Sequence, residues 1–167
     1  MNAARWLASK RKLRKAVHVK SFRSILLGSL ALIALTVGSV SAKPGWLTDF
    51  KQAQAEAKAN NKLMLVDFTG SDWCGWCIKL DKEVFAKPEF QEYAKKNLVL
   101  MEVDFPRRKT LSAEQKIQNQ ELAARHGVQG FPTIVVLDAE GKQIAELGYT
   151  PGGAAAFIAE LDKLRKR

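Results

Sequence analysis

The chain has 167 residues, of which 27 are Lys or Arg and 17 are Asp or Glu, giving a formal net charge of +10. This length suggests one domain with a short additional segment, and an apolar fraction of 47% excludes a disordered chain. Two cysteines are too few for a small scaffold held by several disulfides. Residues 1–42 carry eight basic and no acidic residues, and the remaining 19 basic and 17 acidic residues nearly balance. A nucleic-acid-binding domain, which would cluster its cations on a folded face, is therefore not indicated.

Residues 1–42 have the three parts of a secretory signal peptide. A basic stretch precedes an uncharged apolar run from Ser24 to Val40, and the small residues Ser41 and Ala42 follow it. Cleavage is predicted after Ala42, so that residues 43–167 form the mature domain. The run is just short of the roughly 18 to 20 residues that span a membrane, so a retained anchor is an alternative. Either reading places the domain outside the cytoplasm, secreted or periplasmic, and membrane contact is expected only if the segment is retained.

The mature domain begins with a helical pattern followed by a strand-like one. Apolar residues recur every three or four positions from Trp46 to Asn60, which predicts an amphipathic helix with Thr48 as its N-cap. Lys62 to Phe68 is a short apolar run, typical of a strand buried on both faces. Only the polar Asp67 interrupts that run.

The rest of the domain continues this alternation and ends in a hairpin. The patterns predict, in chain order, helices from Cys74 and from Pro88, a strand from Leu98 to Phe105, a helix from Ser112 to Gly127, strands over 133–137 and 142–147, and a final helix after Gly153. The turn residues Asp138 to Gly141 predict that the last two strands are antiparallel. Helices alternating with strands indicate an α/β domain whose sheet is covered on both faces.

The two cysteines of the chain, Cys74 and Cys77, lie between a predicted strand and the start of a helix. A C-x-x-C pair at that junction is the sequence signal of a thiol–disulfide redox centre. Unpaired N–H groups at a helix N-terminus favour a thiolate, so Cys74 is predicted to be the attacking sulfur. Cys77, one turn further on, is placed to attack the mixed disulfide and close an intramolecular bridge.

Three other uses of the cysteine pair are weighed against a redox centre. A structural zinc site requires four ligands, and the mature domain offers two cysteines and His126. A c-type haem anchor needs His directly after the second cysteine, where this chain has Ile78. A purely structural disulfide stays possible, although closing so small a loop removes little unfolded-state entropy.

Three segments in this order resemble the landmarks of the thioredoxin family: Val66-Asp67-Phe68, Trp73-Cys74-Gly75-Trp76-Cys77 and Gly130-Phe131-Pro132-Thr133. The resemblance covers about residues 46–166. It implies a three-layer α/β/α fold with a central mixed sheet that ends in an antiparallel hairpin. It also implies that Pro132 is cis and packs near the redox pair, and that the backbone of Phe131 pairs with substrate. Without the resemblance, Pro132 would be interpreted as a proline that interrupts pairing at the edge of a strand.

The resemblance assigns Asp67 the role of a buried carboxyl that exchanges a proton with the second cysteine. Burial raises a carboxyl pKa towards neutrality, which suits that role. The loop from Thr69 to Asp72 is one residue longer than is usual in the family, so a solvated aspartate at the strand end stays an alternative. Leu100 occupies the position where many thioredoxins have a lysine paired with this aspartate. A third departure is an insertion from Pro106 to about Gln118.

Several residues near the motif are candidates for substrate contact. Trp73, Gly75 and Trp76 flank or separate the cysteines, and Trp76 is predicted to be exposed although aromatic residues are more often part of a core. The basic run from Arg107 to Lys109 reads as a solvated loop, with binding of an acidic partner as the alternative. His126 is predicted to end a helix and is given no catalytic role.

The sequence therefore predicts a secreted or periplasmic thiol–disulfide oxidoreductase with Cys74, Cys77 and Asp67 as its catalytic residues. Reduction or interchange of disulfides is favoured, because the departures resemble secreted bacterial relatives, including the C-terminal domain of membrane disulfide reductases. The expected partners are protein or small-molecule thiols and disulfides, together with an electron donor or acceptor. No cofactor, metal or nucleic acid is expected. The alternative function is a binding module, either a client chaperone or a metallochaperone, whose cysteines do not turn over.

Overall fold

The structure, a computed structural model, describes residues 43–166. The predicted leader, residues 1–42, lies outside the described residues. Between Lys43 and Lys166, no helix has the length and apolar character needed to cross a membrane.

The described chain forms five strands and five helices, and the second helix continues into a π-helical turn. In chain order these are β1 (Trp46–Leu47), α1 (Phe50–Asn60), β2 (Leu63–Thr69), α2 (Gly75–Leu80) with its π-helical turn (Asp81–Phe85), α3 (Pro88–Asn97), β3 (Leu98–Asp104), α4 (Ala113–Arg125), β4 (Thr133–Leu137), β5 (Gln143–Leu147) and α5 (Gly153–Arg165). The predicted alternation is confirmed, with boundaries close to those that the patterns indicate.

The strands form one mixed sheet in the order β1-β3-β2-β4-β5. Strand β3 pairs in parallel with both β1 and β2, whereas β4 is antiparallel to β2 and to β5. The predicted central mixed sheet ending in an antiparallel hairpin is therefore confirmed. In the register of β2 and β3, Asp67 lies directly opposite Glu102, which brings two acidic residues side by side in the sheet.

Successive residues of a strand point to opposite sides of the sheet, and here the side chains on both sides are buried. Leu65 packs into an aromatic-rich cluster with residues of α3 and α5, including Phe90 and Phe157. Its neighbour Val66 packs into a second cluster, with Ala53 of α1 and Leu122 of α4. The predicted three-layer α/β/α arrangement is confirmed, and β2, which leads to the cysteine motif, lies inside it.

The N-terminal boundary of the first helix was predicted incorrectly. Trp46 and Leu47 form β1, opposite Leu100 and Met101 of β3, although their spacing fits the helical pattern that follows. The N-cap is Asp49 rather than Thr48, since its side chain accepts a 2.8 Å hydrogen bond from the Gln52 N–H. Pairing of the edge strand with β3 therefore overrides a helical periodicity that extends one turn too far.

Candidate functional site

Cys74 and Cys77 are joined by a disulfide, with their Cα atoms 5.2 Å apart. Cys74 is the N-cap of α2, and its sulfur accepts a 3.2 Å hydrogen bond from the Cys77 N–H. Both cysteines are buried, whereas Gly75 between them is exposed. A reduced Cys74 held in this position would receive the same N–H on its thiolate, so the helix start stabilises the form that attacks disulfides.

The loop that precedes the motif is tied to the start of the insertion that follows β3. Asp104 accepts hydrogen bonds from the N–H and the hydroxyl of Ser71, at 2.9 and 2.6 Å. The Asp72 carboxylate accepts two more, from the N–H groups of Arg107 and Arg108. These bonds, that from Arg107 first, lower the pKa of Asp72. The loop from Thr69 to Asp72 is thereby fixed by the end of β3 and the segment that follows it.

Trp73 and Trp76 of the motif, together with the aromatic side chains that pack on them directly or through one another, are called here the aromatic rim: Trp73, Trp76, Phe105, Phe131 and Tyr149. Trp73 donates from Nε1 to the Phe105 carbonyl at 2.8 Å and packs edge-on against Phe131, with ring centroids 6.0 Å apart. Trp76 is 59% exposed, as predicted, and packs against Tyr149 with centroids 5.2 Å apart.

A cation lies over each tryptophan of the rim. The Arg107 guanidinium carbon is 3.9 Å from the Trp73 ring centroid, and the Lys79 ammonium is 5.1 Å from that of Trp76. The basic run that was predicted to be a solvated loop is exposed, but Arg107 also covers an aromatic face next to the redox motif.

The Phe131–Pro132 peptide bond is cis, as the family resemblance implies. Phe131 contacts Trp73, so the residue before the proline touches the residue before Cys74. Pro132 directly precedes β4, a strand between β2 and β5 inside the sheet rather than at its edge. The structure thus places Phe131, the residue before the cis proline, against Trp73 of the motif.

Four charged residues form a second feature, called here the Lys43 cluster: Lys43, Asp67, Asp81 and Glu102. The Lys43 ammonium is 2.9 Å from Asp81, 3.2 Å from Glu102 and 3.6 Å from Asp67. Asp67 is 2% exposed and Glu102 is 7% exposed, so the alternative of a solvated Asp67 is wrong. Asp67 Oδ1 has no hydrogen-bond partner among the described residues. The cluster lies between strands β2 and β3 and the end of α2.

The charges of the cluster shift one another's ionisation. Burial raises the pKa of Asp67 to about 7; the Lys43 ammonium opposes this rise, and the carboxylates of Glu102 and Asp81 add to it. Burial also raises the pKa of Glu102, again against the effect of Lys43. Burial disfavours the Lys43 ammonium, but the three carboxylates outweigh that cost and raise its pKa.

Sequence reasoning identified Asp67 but missed its partners. Glu102 is an acidic residue inside an apolar strand pattern, which could have been a signal, whereas its register opposite Asp67 is seen only in the structure. Lys43 carries no such signal, because it lies 24 residues before Asp67 and outside any periodic pattern. His126 follows α4 as its C-cap, as expected, and contacts Gln143 at 2.8 Å.

Comparison with protein families places residues 50–165 in a thioredoxin-like domain. Among curated proteins, the chain is 42% identical over 117 residues to the disulfide bond reductase DsbH of Chlamydia pneumoniae, and this match covers 70% of each chain. It is 30% identical over 125 residues to the thiol:disulfide interchange protein DsbD of Tatumella citrea. That match covers 72% of this chain but only 19% of the DsbD protein.

Solved structures give the same result. The structure of a DsbH oxidoreductase, 39% identical in sequence, superposes with a TM-score of 0.70 over 75% of this chain and 91% of that one. A thioredoxin from Thermus thermophilus, 23% identical, has a TM-score of 0.53, covers 69% of this chain and 82% of its own, and supports the fold alone.

Proposed function

The chain belongs to the thioredoxin-like family, and from that membership we propose that it is a thiol–disulfide oxidoreductase that reduces or exchanges disulfides in exported proteins. The observation that carries this proposal is the Cys74–Cys77 disulfide at the start of α2. Its DsbH relative, which is named a disulfide bond reductase, supports the reducing direction.

In the proposed reaction, the dithiol form of the chain reduces a substrate disulfide. The Cys74 thiolate attacks one substrate sulfur, forms a mixed disulfide and releases the first substrate thiolate, which takes a proton from water. Cys77 then attacks Cys74 as its thiol proton leaves, closing the intramolecular disulfide and releasing the second substrate sulfur as a thiolate, which takes a proton from water. Two electrons pass from the cysteine pair to the substrate, and a dithiol donor outside the chain restores the reduced form.

Asp67 is proposed to accept the proton of Cys77 in the second step. Its burial, its unpartnered Oδ1 and a pKa of about 7 are the properties that a proton acceptor near neutral pH needs. The proton would return to solvent after the substrate leaves.

Substrate contact is proposed for Trp73, Gly75, Trp76, Phe131 and Pro132. Support comes from the exposed Gly75 and Trp76, and from the contact that joins Phe131 to Trp73. An extended substrate segment could pair with the backbone at Phe131, while the aromatic rim covers apolar residues next to the substrate disulfide.

We propose further that residues 1–42 act as a signal that exports the domain, residues 43–167, to the periplasm or beyond. Cleavage after Ala42 would make Lys43 the first residue of the mature chain, and a retained segment would instead anchor the domain at the membrane. Sequencing the N-terminus of the protein isolated from the periplasmic and membrane fractions distinguishes these two outcomes.

An insulin-reduction assay tests the activity. We expect Cys74→Ser to abolish turnover, because no attacking thiolate remains, and Cys77→Ser to accumulate a mixed disulfide detectable by mass spectrometry. Equal activity of the parent and Cys74→Ser would favour a binding module instead.

Equilibration of the purified protein against glutathione tests the direction. Reduction potentials in this fold range from about −270 mV in reducing members to about −120 mV in strong oxidants. A potential of about −270 mV is expected, and a potential of about −120 mV would contradict the reductase assignment.

A further inference from the structure

Lys43 is the residue that holds the buried acidic pair of the sheet together. Asp67 and Glu102 face each other across β2 and β3, and both are almost fully buried. Two carboxylates this close in a poorly solvated site cannot both ionise without a compensating cation. Within the described residues, the ammonium of Lys43 is the cation that contacts both of them, and it also contacts Asp81 at the end of α2.

The position of this ammonium is fixed by aromatic packing as well as by charge. It lies 4.9 Å from the Trp46 ring centroid and 5.5 Å from that of Phe85. These two rings pack against each other in the core, with centroids 5.0 Å apart. A turn in which the Trp46 N–H donates to the Lys43 carbonyl at 2.9 Å holds the backbone, so the side chain enters the cluster from a fixed point.

The lysine reaches Asp67 by an unusual route through the chain. Leu100, on β3, occupies the position where the family resemblance leads one to expect a lysine, and it pairs with Trp46 of β1. The cation instead comes from the segment before β1 and spans β3 to reach β2. Strand β2, strand β3 and the end of α2 are therefore joined through Lys43, a residue that none of the helical, strand or motif patterns identifies.

We propose that Lys43 is the positioning residue that sets the pH at which Asp67 exchanges its proton, and thereby the pH dependence of disulfide resolution by Cys77. This inference rests on the role proposed above for Asp67. The charged groups that act on Asp67 are Lys43, Glu102 and Asp81. Asp104 and Lys109 act on Glu102 in turn. Among the charged groups of residues 43–166, Lys43 alone favours the ionised carboxylate of Asp67, so its removal is expected to raise the pKa of that carboxyl.

The test compares Lys43→Gln with Lys43→Arg in the full chain. The carboxyl of Asp67 is titrated by carbon-13 NMR in the oxidised protein, with its signal assigned by its loss in Asp67→Asn. Without the cation, the titration midpoint is expected to move upward by about one to three pH units. Lys43→Arg is expected to keep the wild-type midpoint, and Lys58→Gln, which removes an exposed lysine of α1, serves as the control. An unchanged midpoint in Lys43→Gln overturns the proposal.

The second measurement is the pH–rate profile of mixed-disulfide resolution, which is expected to shift with the carboxyl midpoint. A shifted midpoint with an unshifted rate profile would overturn the link between Lys43 and the reaction. Because the titration needs no turnover, it reports on Lys43 even if the oxidoreductase activity itself fails its own test. If Lys43→Gln does not fold, Lys43→Met serves as the second variant, because it keeps an apolar side chain against the Trp46 and Phe85 rings while removing the ammonium. The midpoint of Asp67 should move upward in this variant too, and an absent or downward shift contradicts the proposal.

Discussion

The Lys43 cluster includes Asp81 at the end of α2, the helix that begins at the redox motif, and the aromatic rim includes Trp73 and Trp76 of the motif itself. The two regions are built from opposite kinds of side chain. The cluster places one cation among three carboxylates, two of them buried. The rim consists of aromatic rings that are partly or largely exposed, with cations lying over their faces. Charge is therefore buried in one region, and apolar surface is exposed in the other.

This difference separates two tasks that a thiol–disulfide enzyme must perform. Charges in a poorly solvated site interact strongly, so small changes there alter protonation and stability. Exposed rings and cations are screened by water, so they contribute mainly to contact with a partner. Variants of the cluster should change pH dependence, and variants of the rim should change substrate affinity.

The largest expected effect is on the pH dependence of stability, through Asp67. Its folded-state pKa of about 7 is raised from an ordinary value of 3.8, so the folded protein binds this proton more tightly than the unfolded chain. The resulting stabilisation is complete below pH 3.8 and is lost as the pH rises through 7. Urea unfolding of the oxidised protein should therefore give a lower free energy of unfolding at pH 8 than at pH 4. Asp67→Asn should reduce this difference by up to about 4 kcal/mol.

A control for the Asp67 experiment is Asp49→Asn. It removes an exposed carboxylate at a helix N-cap, where asparagine caps equally well. If both variants reduced the difference in free energy of unfolding between pH 4 and pH 8 equally, burial of Asp67 would not be its cause.

The cysteine motif and the order of the elements could be predicted from the sequence because each has a local signal, whereas the cis state of Pro132 followed from the family resemblance alone. Cys74 and Cys77 are three residues apart, and periodicity marks most helices and strands. Lys43 could not be found this way, because its ion pairs join residues 24, 38 and 59 positions apart and depend on how β2 and β3 are aligned. The stacking of Arg107 on Trp73 was missed for the same reason, since only the folded insertion brings them together.

Gly70→Ala is expected to displace the Trp73 side chain of the aromatic rim. A Cβ at this position would lie 2.5 Å from Cε2 of Trp73, so the indole would have to move and loosen its bond to the Phe105 carbonyl. We expect a loss of about 1–3 kcal/mol in the free energy of unfolding and a higher KM for insulin. Gly130→Ala is the matched control, because no heavy atom lies within 4 Å of its added Cβ. A similar loss of stability in both variants would mean that contact with Trp73 is not the cause.

The smallest expected effect comes from the cation over Trp73. Arg107→Met keeps a flexible apolar cover on the ring but removes the guanidinium, which at an exposed site contributes about 0.5–1 kcal/mol, or roughly a twofold to fivefold change. We expect a KM increase of that size for insulin, with the pH–rate profile unchanged. Arg108→Met is the control, since it removes a neighbouring exposed charge while its backbone N–H can still donate to Asp72. An equal increase in both variants would assign the effect to net charge, and a shifted pH profile in Arg107→Met would contradict the separation of rim from cluster.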